Sequence, residues 1–332
     1  NGDYPVIQTE DTVRSEVITL KPLDRRLTKK LITGYLDGKP SKDLTGFIEK
    51  KTQGNPFFTE QYCLFLRENG LLSSGPEGLD ISGSVEAVPE GIAPVIMSRI
   101  DRLSPKLKNA VQTASVLGME FSSKVFSLIL RTRHGEDLLN QGKEAGIWRA
   151  VNDNLWMFSH SMIKDTACDM QMRRRLKKLH RMAAEAKLEA FPGQRDRYAD
   201  VAHHFQEAGD RTRALEFLEK AGAFAKDEYR NSEALGLYRR LRELSSSRKE
   251  HRRISITIAD LLAETGERDK ARNLLLEILK KSRKEKDMIS EAKCSRHLAK
   301  LLHRQGRNQE AIEHLKRADE VFRQEGMVFE TA

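Results

Sequence analysis

Two short segments of this 332-residue sequence combine residue types that could do chemistry. The first is Gly54-Asn55-Pro56-Phe57-Phe58, which on its residues alone is a helix stop followed by a proline-initiated helix. The second is His160, in Phe158-Ser159-His160-Ser161-Met162-Ile163-Lys164-Asp165, where an extended run gives way to a helical one. A histidine at such a junction can cap the helix, pack as a ring, or direct an imidazole N–H at a phosphate held on a neighbouring domain. Other candidates read as structural. Cys168 with His160 or His180 is a nominal thiol–imidazole pair, but Cys168 falls on an amphipathic helical pattern and reads as a packed thiol. His203-His204 lack the i, i+4 spacing of helical metal ligands, and His203 reads as a surface residue. No Gly-x-x-x-x-Gly-Lys-Ser/Thr occurs, so nothing here cradles phosphates or places magnesium, and the chain by itself is not expected to hydrolyse ATP.

Composition limits the elements that carry these residues. There are 58 Lys+Arg against 49 Asp+Glu, a net charge of +9, with 32% charged and only 6% aromatic residues, which points to a helical, heavily solvated protein. The basic excess is spread along the chain and permits nucleic acid, acidic membrane or acidic protein partners without selecting one. Its densest run is Arg173-Arg174-Arg175-Leu176-Lys177-Lys178, continuing to His180-Arg181. That run is either a nucleic-acid contact or a solvated helix face with Leu176, Leu179 and Ala183 turned inward. Cys63, Cys168 and Cys294 are too scattered for a disulfide framework, so a reducing, cytoplasmic setting is the simplest expectation. No apolar stretch approaches membrane-helix length, and Asn1-Gly2-Asp3-Tyr4-Pro5 has no signal-peptide pattern. The start without Met leads us to expect a piece of a longer protein.

Along the chain, Val17-Ile18-Thr19-Leu20 reads as one short strand whose pairing partner lies upstream. Leu27, Leu31, Ile32, Tyr35 and Leu36 then form a helical stripe ended by Gly38 and Pro40, Ser41 caps a second helix, and Pro56 starts a third. Residues 70–88 suit a small exposed hairpin or a loop. Helices follow over Ile92–Leu103, from Ser104-Pro105 to Gly118, over about 122–131 and around Leu138-Leu139. Ile147–Val151 and Leu155–Ser159 around Asn152-Asp153-Asn154 make a hairpin, the element order of a winged helix. Its expected recognition helix, 122–131, offers only Lys124 and Arg131 as cations, which disfavours DNA binding. Beyond Met172 all is helical. Gly209–Ala214, Gly266–Ala271 and Gly306–Ala311 share the pattern Gly, four residues, Ala, with a degenerate copy at Tyr229–Ala234 and 40 residues between Gly266 and Gly306. Such spacing predicts tetratricopeptide-like helical hairpins, whose stacked surface commonly binds a peptide or protein.

Ile18-Thr19-Leu20-Lys21-Pro22-Leu23, Gly54–Phe58, Arg99-Ile100-Asp101-Arg102-Leu103-Ser104-Pro105 and Phe158–Asp165, in this order, resemble the C-terminal half of the STAND-type signalling ATPases. These are AAA-related P-loop switches fused to bacterial adenylyl cyclases, serine/threonine kinases and transcription activators. The resemblance covers roughly residues 17–205 and implies a mainly α fold: a helical lid, a winged helix with a small β-hairpin, and a TPR-like α-solenoid. The implied parts are a terminal strand or linker of a nucleotide-binding core (1–22), lid (23–84), winged helix (85–172) and repeats (173–332). It further implies that Gly54 and Pro56 form the lid's Gly-x-Pro, with Pro56 packing on adenine, and that His160 contacts the β-phosphate of ADP in the closed form. Ser161 stands where the family motif has Asp. ATP or ADP would be held by an upstream core, and the implied partners are that core and a protein or peptide on the repeats. The alternatives are a winged-helix transcription regulator with a repeat sensor, or a plain repeat scaffold.

Overall fold

A computed structural model of the chain describes residues 19–82 and 88–325. Of the expected strand, Val17 and Ile18 lie outside the described residues, while Thr19 and Leu20 carry no strand. The chain divides between Lys108 and Asn109 into two compact units.

The first unit starts with α1 (Arg25–Leu36), α2 (Lys42–Thr52) and α3 (Pro56–Glu68). Each begins where a short polar side chain can accept an orphan amide: Asp24 from Leu27 (2.8 Å), Ser41 from Leu44 (2.9 Å) and Asn55 from Phe58 (3.2 Å). Ile32, Leu44, Ile48, Tyr62 and Leu66 fill the core. The apolar stripe of α1 divides, however. Thr28, Ile32 and Leu36 turn inward, whereas Leu27 is 40% exposed and lies on an outward face with Leu23, Leu31 and Tyr35. Strands β1 (Leu72–Gly75) and β2 (Gly78–Ile81) form the hairpin. Residues 73–77 of it are exposed, as the sequence suggests, while Leu72, Leu79 and Ile81 are half-buried on the core and the loop 39–41 exchanges hydrogen bonds with Leu79. In α4 (Ile92–Arg102), the buried Arg99 guanidinium is held by Glu68 and Gln61 of α3. The division falls within α5 (Pro105–Ser115).

The second unit opens with β3 (Glu120–Ser122), α6 (Ser123–Leu130), α7 (Gly135–Glu144), β4 (Trp148–Ala150), β5 (Leu155–Phe158) and α8 (Ser161–Asp169). The hairpin β4–β5 forms around Asn152, whose Oδ1 accepts the amides of Asn154 and Leu155. Strand β3, unforeseen in the sequence, pairs antiparallel with β5 to give the sheet order β3-β5-β4. Phe121, Phe126, Trp148 and Phe158 meet at centroid distances of 5.5–5.9 Å and form the aromatic core. Trp148 is locked by its indole N–H, which donates to the Leu139 carbonyl at 2.7 Å.

Eight helices follow: α9 (Arg173–Ala190), α10 (Tyr198–Ala208), α11 (Arg211–Asp227), α12 (Asn231–Leu244), α13 (Arg248–Glu264), α14 (Arg268–Glu285), α15 (Met288–Arg304) and α16 (Asn308–Gln324), each packed on the next. One turn recurs in the array. Gly209, Tyr229, Gly266 and Gly306 take left-handed φ values of 78°, 57°, 88° and 78°. The next residue then donates its amide five residues back: Asp210 to Phe205, Arg230 to Ala225, Glu267 to Leu262, Arg307 to Leu302. The carbonyl of that same residue accepts from the alanine four places on, opening the next helix. Those alanines, Ala214, Ala234, Ala271 and Ala311, are buried, which lets neighbouring backbones approach.

Trp148 gives the second unit a sharp steric test. A Cβ on Gly142 would stand 2.3 Å from the fixed indole, whereas one on Gly236 of α12 would meet nothing within 4 Å. Gly142→Ala is expected to lower stability by about 1–3 kcal/mol, read from the urea midpoint with the near-ultraviolet dichroism of Trp148. Gly236→Ala is expected to leave it unchanged or raise it by up to about 1 kcal/mol.

Candidate functional site

Gly54 is compelled by geometry. Its φ is +73°, its carbonyl accepts the Leu23 amide at 2.8 Å, and a Cβ would stand 2.3 Å from the Leu23 carbonyl oxygen. The turn closes with the Asn55 amide on the Thr52 carbonyl at 2.9 Å. Asn55 is the N-cap of α3, and Pro56 takes the first helical position, where its missing N–H costs nothing. The Pro56 ring is exposed, and beside the turn Leu23 joins Leu27, Leu31 and Tyr35 on the open apolar face of α1.

His160 caps α8. Its extended backbone (φ −154°, ψ 147°) ends β5, and its Nδ1 accepts the Met162 amide at 3.2 Å. A neutral imidazole that accepts at Nδ1 carries its proton on Nε2, so capping and donating to an oxyanion use different ring atoms. The main chain is fixed on both sides of His160: the Ser159 amide donates to the Ile147 carbonyl (2.9 Å), and the Ile163 amide donates to the His160 carbonyl (3.1 Å). Ser161 is the first residue of α8, whose first turn holds no acid. Gly54 and Pro56 thus share one turn of the first unit, and His160 belongs to the second.

The remaining candidates are accounted for by packing. Burial raises the Cys168 thiol and pushes Cys63 and Cys294 up to about 12, which keeps them protonated and poorly nucleophilic. Among the described residues no group of three His, Cys, Asp or Glu is placed to hold a metal ion, and no helix is long and apolar enough to cross a membrane. In α9, Leu179 and Ala183 are buried and Leu176 half-buried, as in the solvated-face alternative, Arg175 donates to Asn109 at 2.7 Å, and Arg173, Arg174, Lys177 and Lys178 are exposed. The Lys124 amine of α6 donates to the Ala190 carbonyl at 2.8 Å and lies over the Phe191 ring, so it is occupied within the protein.

Spacing did not reveal one cluster. His203 is exposed as expected, but His204 is only 2% exposed. Its Nδ1 faces the His180 Nδ1 at 3.0 Å, and its Nε2 stands 3.5 Å from Asp200, which Lys187 holds on its other oxygen. One histidine must donate between the two Nδ1 atoms, so both rings cannot be cationic. The desolvated ring of His204 has its pKa lowered to about 2, and burial lowers His180 as well. His180 lies on α9 and His204 on α10, 24 residues apart, a pairing only the fold supplies.

The described residues define a class of architecture: mainly α, with two small β-sheets followed by an array of tetratricopeptide-like helical hairpins. Among solved structures it is similar to a Signal Transduction ATPase with Numerous Domains (STAND) protein with a tetratricopeptide repeat sensor from Pyrococcus horikoshii. The TM-score is 0.54 and the identity 14%, over 92% of this chain. At that identity the likeness is one of fold, and the chain spans 42% of that protein's length. MamA is also similar, at 16% identity over 48% of this chain and 98% of its own, but a TM-score of 0.27 carries no argument. No protein-family model and no curated protein matches the sequence.

The buried histidines make stability depend on pH. An unfolded histidine takes up its proton near the ordinary 6.5, while folded His204 resists until about 2. Stability is therefore full above about pH 6.5 and falls with acidification, by about 1.4 kcal/mol per pH unit for His204 alone, with His180 adding to the slope. Urea midpoints at pH 7.5 and 5.5 should show this loss, and His204→Gln should flatten it. Equal slopes in the two proteins would contradict the assignment.

Proposed function

We propose that this chain is the sensor-and-repeat portion of an ATP-driven signalling switch. The fold likeness to a STAND protein with a tetratricopeptide repeat sensor, over 92% of the chain, carries this reading. The four segments that resemble the STAND-type ATPases support it, as do the positions of two side chains. The exposed ring of Pro56 suits a flat purine, and the capping of α8 through Nδ1 directs the His160 proton to Nε2, the donor an ADP β-phosphate requires. In this reading residues 85–172 are the winged helix, and the apolar face of α1 beside the Gly54 turn is covered by the nucleotide-bearing core.

The switch would work by population shift. ADP held on the core favours a closed arrangement through Pro56 and His160, and a protein or peptide on the repeats favours the open, ATP-bound one. The chain contributes no hydrolytic group. It orients the nucleotide-dependent contacts and passes their state to the repeats. The DNA-binding alternative is weakened by Lys124, one of only two cations in the expected recognition helix, because its amine is spent on Ala190.

The full open reading frame, including its P-loop core, provides the test. His160→Ala is expected to weaken ADP at least about tenfold, the loss of a charge-assisted hydrogen bond, and to raise basal output. His160→Asn retains an N-cap and should keep the thermal midpoint while losing the same ADP affinity. Unchanged ADP affinity in both variants would remove His160 from the mechanism.

A further inference from the structure

A half-enclosed cavity of about 370 Å³ lies where the end of α12, the start of α13 and α14 meet. Its charges do not balance internally. Lys281 is held by Glu277 and Arg252 by Glu285 and Asp287, which accounts for both carboxylates of the lining. Arg242 and Arg248 also line it; among the described residues neither guanidinium makes a hydrogen bond or close ion pair, though the charge of Arg242 acts on Glu277. His251 stands beside them on the rim.

Arg248 is also placed against the helix dipole. It opens α13 directly after the N-cap Ser247, in a first turn that continues with Lys249. Cations are disfavoured at a helix N-terminus, where unpaired amides already present positive charge. The Ser247 side chain takes the Glu250 amide and its carbonyl takes that of His251, leaving the first amides of the helix for a ligand. Deeper in the cavity, Ser255 is only 5% exposed, and its hydroxyl, with no hydrogen-bond partner among the described residues, stays open to the cavity.

We propose that this cavity binds a compact polyanion, a small molecule carrying two or more phosphate or carboxylate groups. Arg242 and Arg248 neutralise it, the first amides of α13 donate to one oxyanion, and the Ser255 hydroxyl donates to the group that reaches the floor. A cavity of this volume suits a small molecule, at the lower end of about 300–1,000 Å³. The site adds to the switch reading and is independent of it, because no residue of the nucleotide contacts takes part.

Calorimetric titration of the full chain with pyrophosphate and, separately, with citrate tests the assignment. At least one should bind saturably to one site, and the tighter of the two identifies a phosphorylated or a polycarboxylate ligand. Arg242→Gln and Arg248→Gln should each weaken it at least about tenfold, and Ser255→Ala by about three- to tenfold. None of these changes removes an existing bond, so the thermal midpoints without anion should stay close to wild type. The double change Arg173→Gln/Arg174→Gln, at the exposed basic start of α9, should leave affinity unaltered. Absence of saturable binding by both anions would overturn the proposal, as would equal weakening by the α9 double change.

Discussion

A helix can stop and reverse within a few residues where one residue accepts positive φ and the next amide finds the carbonyl five places back. The helical array repeats that constraint at Gly209, Tyr229, Gly266 and Gly306, and each turn fixes which carbonyl starts the following helix. Because the alanine four places beyond is buried each time, the turn also sets how closely consecutive helices pack. Tyr229 shows that the geometry, and not glycine itself, is what the array requires; the tyrosine accepts a left-handed φ and pays with an almost fully exposed ring.

The same economy governs the candidate nucleotide contacts. Pro56 and His160 both sit at the first turn of a helix, where orphan amides must be satisfied and the chain direction is fixed. Asn55 does the capping for Pro56, which leaves the proline ring exposed, while His160 caps with one ring nitrogen and holds its proton on the other. Neither position needs a flexible loop to present its side chain. Rigid presentation is what a lever needs if a contact at one end is to be felt along the array.

Much of this was legible in the sequence because it follows local rules. The cap at Ser41, the proline start at Pro56, the hairpin around Asn152 and the Gly-to-Ala turns are all written in neighbouring residues. What escaped is non-local. Strand β3 is three residues long and gains its identity only from pairing with β5. The inward and outward faces of α1 could not be separated by periodicity, since Leu27 and Leu31 are as apolar as Ile32 and Leu36. The His180–His204 contact joins two helices, and the unpaired cations of the α12–α14 cavity become visible only once each carboxylate has been assigned its partner.

The central claim is that this chain answers to a nucleotide held outside it, through the starts of α3 and α8. Amide hydrogen exchange on the full-length protein, with ADP and after its removal, measures this most directly. The account expects ADP to slow exchange at the amides following Pro56 and His160, with the last turns of α16 unaffected. Identical exchange at both helix starts in the two states would contradict it.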